Sequence, residues 1–171
     1  YNTVVGSLAF DDTDAGGTSK TSENNTVVGF NAMGGTWGNF KMDSCVAVGS
    51  QALSGALAAT AVTGTVAIGK SALAALTSGA GNTAVGYTAL TTNVDGDFNT
   101  AVGYESLYTF EAESDGEGGN TVVGYRAGKF VSTGVSNTFI GKRSGLGISG
   151  TELTGDENTA IGEAAGVLLR G

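Results

Sequence analysis

The sequence predicts an all-β fold, a parallel β-solenoid or β-roll of nine coils, assembled as a homotrimeric fibre. Three observations predict it. A five-residue motif ending in glycine recurs nine times in 171 residues. Glycine supplies 30 residues, while proline and histidine are absent. The segments between motifs vary in length and carry most of the acids, as loops on the outside of a fixed repetitive turn do.

The motif reads NTVVG at 2–6 and 25–29, CVAVG at 45–49, TVAIG at 65–69 and NTAVG at 82–86 and 99–103. It then reads NTVVG at 120–124, NTFIG at 137–141 and NTAIG at 158–162. The closing glycines are Gly6, Gly29, Gly49, Gly69, Gly86, Gly103, Gly124, Gly141 and Gly162, at spacings of 23, 20, 20, 17, 17, 21, 17 and 21. Five β-branched or polar residues ending in glycine are too short for a helix and read as a short strand. A unit of 17 residues cannot hold a strand, a useful helix and two turns, so a helical repeat is disfavoured. The nine strands, stacked, would make a rod of about 43 Å.

Strand alternation places the Val or Ile before the glycine on one face with the residue two positions earlier, Thr in seven copies and Val46 and Val66 in the others. This pair is expected to face the interior. The other face carries Asn, as in Asn82, Asn99, Asn120, Asn137 and Asn158, where stacked amides would form a ladder. The recurrent glycine is expected to take positive φ or to admit a neighbouring backbone. Three positions after it comes a small residue, Ala or Ser, and then a large apolar one, Phe10, Met33, Leu53, Leu73, Leu90 or Leu107. In the last three copies that place is Gly128, Gly145 or Gly166, and Phe130, Leu146 or Val167 is expected to supply the missing group. So thin an interior, with small residues at fixed places, favours association of parallel chains into a trimer.

Composition excludes several classes. Histidine-based catalysis is impossible, and Cys45 has no second cysteine for a disulfide or a Cys/His zinc site. The glycines lack a three-residue period, so the chain is not collagen. Apolar runs are too short to insert in a membrane. A net charge of −8 disfavours nucleic acid. The chain begins at Tyr1 rather than Met and is expected to be a single repeat array, 1–171, cut from a longer protein.

Two short motifs are better explained by the repeat. GTVAIGKS at 64–71 fits a phosphate-binding loop, but its glycine is the register glycine Gly69, and Lys70 and Ser71 fall at variable, solvent-facing positions. GLGISG at 145–150 lacks the long βαβ context of a dinucleotide site. No cofactor is expected. Acidic groups at Asp11, Asp12 and Asp14, at Asp95 and Asp97, and at Glu111, Glu113, Asp115 and Glu117 read as solvated loop charge, with calcium as the competing reading. Tyr87, Tyr104 and Tyr125, with Phe30 equivalent, would stack in a stripe that either covers the surface or holds sugar rings, and Trp37 and Phe40 are further candidates for contact. No paired acids recur in a way that suggests a glycosidase, so no enzymatic activity is expected.

GNTAVGYTAL (81–90) and NTAVGYESL (99–107) resemble the NTAIGYxAL-type repeats of bacteriophage tail-fibre proteins. CVAVGSQAL (45–53) and TVAIGKSAL (65–73) are also similar to the SVAIGxxS repeats in the heads of trimeric autotransporter adhesins. The resemblance covers essentially the whole chain. It implies a trimeric left-handed parallel β-roll, serving as the structural rod of a phage tail fibre or virion appendage in host-cell attachment. The alternative it leaves open is a bacterial trimeric surface adhesin or extracellular filament. Either implies a virion or extracellular, cell-surface location, with a host surface glycan or protein receptor as partner. The coils here, 17 to 23 residues, are longer than the compact adhesin repeat, and the chain holds neither the chaperone domain nor the membrane anchor found in those families.

Overall fold

A computed structural model of the chain describes residues 1–10, 22–35, 41–55, 62–114 and 116–169. Eleven short strands are present among them: Thr3–Val5 (β1), Thr26–Val28 (β2), Met42–Asp43 (β3), Val46–Val48 (β4), Val62–Thr63 (β5), Val66–Ile68 (β6), Thr83–Val85 (β7), Thr100–Val102 (β8), Thr121–Val123 (β9), Thr138–Ile140 (β10) and Thr159–Ile161 (β11). Nine of them, one per motif, form a single parallel sheet in the order β1-β2-β4-β6-β7-β8-β9-β10-β11. The fold is an all-β parallel solenoid, and none of the described residues is helical.

Register is fixed residue for residue. Thr83 pairs with Thr100, Ala84 with Ala101 and Val85 with Val102, and equivalent triplets pair all along the sheet. The pairing continues into the turns: Glu105 N–H donates to Tyr87 O at 3.0 Å, and Leu107 N–H to Ala127 O at 3.0 Å. Nearly every coil therefore satisfies its backbone through its neighbours, which is what a loop-rich coil of this length needs to be ordered.

The faces of the strands are the reverse of the sequence expectation. The residue two before the glycine is the inward one: Val27, Ala47, Ala67, Ala84, Ala101, Val122 and Phe139 are all 0% exposed. The Val or Ile directly before the glycine, and the Thr or Val two places earlier, point outward. Alternation sets the pairing of positions but not which pair turns in, and interior volume decides it. Leu53, Leu73, Leu90 and Leu107, all buried, already fill the coil from the opposite side, leaving room for only Ala47, Ala67, Ala84 and Ala101.

The last copies show the same rule in reverse. Where Gly128 and Gly145 replace leucine, the strand supplies the bulk through Val122 and Phe139. A Cβ on Gly128 would sit 3.1 Å from Val122 Cγ1, and one on Gly145 would strike the Phe139 ring. Gly166 is filled by Leu169, whose Cδ1 would lie 2.8 Å from such a Cβ. Phe130, Leu146 and Val167, expected to take this role, remain only half-buried.

Each coil turns through left-handed residues. Non-glycine residues with positive φ recur two and four places after the motif glycine, as in Glu105 (51°) and Leu107 (51°), and just before the asparagine, as in Phe98 (55°). Buried serines at the small-residue position are satisfied across coils: Ser106 Oγ donates to Val122 O at 3.1 Å and Ser144 Oγ to Ala160 O at 2.7 Å.

Candidate functional site

Two columns hold the rod in register, a largely buried one of asparagine and a partly exposed one of glycine, and two outward ones present it to the outside. The first column is asparagine. Asn99, Asn120, Asn137 and Asn158 each donate both the main-chain N–H and Nδ2 to Oδ1 of the asparagine one coil back. For Asn120 those distances to Asn99 Oδ1 are 3.1 and 3.0 Å. For Asn99, bonding to Asn82, they are 2.9 and 3.2 Å. The ladder closes at Asn82, whose Nδ2 donates to Gly96 O at 2.7 Å. Asn25 and Asn2 form a separate two-rung piece, and Asn25 Oδ1 accepts from Cys45 N–H at 2.9 Å.

The second column is glycine. Gly6, Gly29, Gly49, Gly69, Gly86, Gly103, Gly124, Gly141 and Gly162 all take φ between 123° and 143°. A Cβ on any of the first eight would run into the carbonyl of the next glycine in the column; on Gly103 it would lie 2.7 Å from Gly124 C. Both the dihedral and the close approach require glycine here.

The first outward column is apolar. Val5, Val28, Val48, Ile68, Val85, Val102, Val123, Ile140 and Ile161 line up one per rung on the outer face of the sheet, beside the outward column of Thr and Val. Val5, Ile68, Ile140 and Ile161 are exposed, from 38% at Ile140 to 66% at Ile161, and the other five are half-buried. Val85, Val102 and Ile161, expected from the sequence to face the interior, therefore project outward.

The second outward column is aromatic and cationic, one residue past the glycine. Lys70, Tyr87, Tyr104, Tyr125 and Lys142 occupy five consecutive rungs. Tyr87 and Tyr104 stack with centroids 5.1 Å apart and planes at 10°, and Tyr104 and Tyr125 at 5.6 Å and 20°. Arg126 lies over the Tyr125 ring at 5.1 Å and Lys70 over Tyr87 at 6.0 Å. Stacking turns the ring faces toward each other, so sugars cannot lie flat on them. Ring edges and hydroxyls face solvent. Phe30 is exposed but stands apart from the three tyrosines, since Ser50 and Lys70 occupy the rungs between.

At GTVAIGKS the amides of Gly64, Val66, Gly69 and Ser71 donate to Asp43, Asn82, Val48 and Ser50 carbonyls at 2.8–3.0 Å. A phosphate would have to displace those bonds. Gly145 N–H in GLGISG likewise donates to Ala165 O at 2.8 Å.

Asp97 Oδ1 accepts from Ala80 N–H at 2.6 Å, and Asp95 Oδ1 is buried without a hydrogen bond. Burial, followed by the Asp95 charge, pushes the Glu111 carboxyl above its ordinary range. Glu113 and Glu117 line a polar cleft of about 150 Å³ with Thr133, Val135, Thr154 and Asp156. Among the described residues no three Asp, Glu, Cys or His side chains are placed to hold a metal ion. Asp11, Asp12, Asp14, Trp37, Phe40 and Asp115 lie outside the described residues. The described residues contain no helix, and so none long and apolar enough to cross a membrane.

No family model, curated protein or solved structure matches the chain.

Proposed function

We propose that the chain is a structural rod of a bacteriophage tail fibre or comparable virion appendage, working as a parallel homotrimer in host-cell attachment. The observation that carries this reading is the register-locked stripe of nine Val and Ile side chains on the outer face of the sheet. A single chain closes its own interior with Ala, Leu and Phe, so this stripe is surplus to the monomer fold. A continuous outward-facing apolar stripe of this kind marks an association surface. Three flat sheets packed about a common axis would bury it along the whole rod, and a stiff rod holds loops or a tip at a fixed distance from its anchor.

Light scattering on the purified chain tests assembly: a species of three times the 16.9 kDa chain mass is expected. Val102→Asp should give a monomer with native β circular dichroism, whereas Ala101→Asp, which buries a charge, should not fold. A monomeric native chain refutes the trimer. Antibodies raised against the chain test the role: they should label virion appendages in electron micrographs and block adsorption. Labelling confined to bacterial surfaces free of phage would instead identify an adhesin or filament.

A further inference from the structure

The corner of the rod just after the motif glycine concentrates positive charge on an otherwise acidic chain. Lys70, Arg126, Lys129, Lys142 and Arg143 are five of its eight Lys and Arg residues, and all lie at this corner over coils four to eight. Among the described residues only two acids join them, Glu105 and Glu163. Glu105 is held by Arg126 at 2.7 Å and Lys129 at 2.6 Å, and Glu163 pairs with Lys142 at 2.7 Å. Lys70 and Arg143 make no ion pair with the described residues. Five cations against two anions leave a local surplus of three positive charges on a chain of net charge −8.

The tyrosines run through the middle of this patch. Main-chain bonds keep the columns aligned: Arg126 N–H donates to Tyr104 O at 2.8 Å and Arg143 N–H to Tyr125 O at 2.9 Å. Tyr87, Tyr104 and Tyr125 are 42–44% exposed, and their hydroxyls take no hydrogen-bond partner among the described residues. The result is a straight row of phenol hydroxyls about one coil apart, bracketed by Lys70 at one end and by Lys142 and Arg143 at the other.

We infer that this corner binds an acidic polysaccharide lying parallel to the rod axis, its carboxylates on Lys70, Arg143 and Arg126 and its hydroxyls on the tyrosine row. The inference rests on the attachment reading and names its ligand class. Carboxylates fit a guanidinium and ammonium cluster, and sugar hydroxyls fit a row of phenols that both donate and accept. A single-stranded nucleic acid would also meet the cations, but it binds by stacking bases on open aromatic faces. Here those faces are closed by neighbouring rings and by Arg126 and Lys70.

The test is calorimetric titration of the whole chain with polygalacturonate, with dextran as the neutral polymer and oligo-dT as the nucleic acid. Saturable polygalacturonate binding is expected, with neither of the others bound. Loss of charge-assisted bonds in Lys142→Ala/Arg143→Ala should weaken it roughly tenfold or more. Tyr104→Phe, which keeps the ladder but removes a hydroxyl, should also weaken it, and Lys41→Ala, away from the corner, should not. Absence of saturable binding, equal loss in Lys41→Ala, or preference for oligo-dT overturns the inference. If the double variant does not fold, Tyr104→Phe decides. Failure here with virion labelling intact removes the site and leaves the rod; polygalacturonate binding without virion labelling does the opposite.

Discussion

Gly103→Ala is expected to be among the most damaging single-methyl changes in the rod, and its cost divides into two measurable parts. The backbone at Gly103 has φ 140°, a region that residues with a side chain occupy at a cost of about 1–3 kcal/mol. Its new Cβ would also lie 2.7 Å from Gly124 C and 3.3 Å from Tyr125 N, with the Gly124 oxygen closer still. Those atoms belong to the next coil's backbone, which cannot swing aside as a side chain can. Overpacking of this kind costs about 1–3 kcal/mol, giving a total near 4 kcal/mol. Gly64→Ala is the control: φ there is 60° and nothing lies within 4 Å of the added carbon. It should cost only about 1 kcal/mol, the left-handed penalty alone. Urea unfolding followed by circular dichroism gives the comparison. Hydrogen exchange should localise the Gly103→Ala damage to the coils on either side, since a solenoid is stabilised by nearest neighbours. If Gly103→Ala costs no more than Gly64→Ala, close approach is not why glycine recurs here.

Asn120→Ala leaves Asn137 N–H without its acceptor, Asn137 Nδ2 with Gly155 O alone, and Asn99 Oδ1 without its Nδ2 donor; a loss of about 2–4 kcal/mol is expected in the same unfolding assay. The Cys45 thiol is fully buried, and burial pushes its pKa up to about 11. It should resist thiol reagents in the native rod and react at a rate set by opening of its coil. Stability should depend on pH through two opposed glutamates. Burial pushes the Glu105 carboxyl up, but hydrogen bonds from Lys129 and Arg126 outweigh it and hold the group below its ordinary 4.5. Its stabilisation is present above 4.5 and lost as pH falls through the lowered value. Glu111 is raised, so its contribution is present below 4.5 and lost as pH rises through the raised value. Glu111→Gln should therefore be more stable than native at neutral pH and Glu105→Gln less, in urea titrations run across pH 3–8.

The repeat, its boundaries and the parallel pairing were legible in the sequence because each depends on a one-dimensional pattern. The inward face was not, because alternation fixes parity only up to a choice. Val85 and Thr83 look more like core than Ala84 does, and the eye follows hydrophobicity. Size covariation was the usable signal. Alanine stands two before the glycine where leucine stands four after it, and Val122 and Phe139 stand there where Gly128 and Gly145 follow. Such reciprocity marks two side chains sharing one volume. The left-handed turn residues had no such signal: Leu53, Leu73, Leu90 and Gln51 are ordinary right-handed formers, carried into positive φ by the geometry of the coil. The cationic corner has no linear signature, because its members are scattered in sequence and meet only when coils four to eight are superposed.

The two rungs without asparagine show how the array tolerates a fault. Cys45 and Thr65 stand in the ladder position and cannot pass an amide bond from coil to coil. These same two rungs carry the second sheet, β3 with β5, in which Met42 pairs with Val62 and Asp43 with Thr63. Gly64 N–H donates to Asp43 O at 3.0 Å, and Cys45 Sγ donates to Asp43 O at 3.3 Å. The same upstream bond recurs where asparagine is kept, as from Phe98 N–H to Ala80 O at 3.0 Å, so these two rungs hold their spacing by backbone pairing without the side-chain amides. The same rungs carry Val46 and Val66 where the other seven carry threonine, so their outer face is the most apolar of the sheet. A coil that gives up its internal polar ladder is therefore the one with most apolar surface to bury against another chain, and assembly should stabilise these two rungs more than any others.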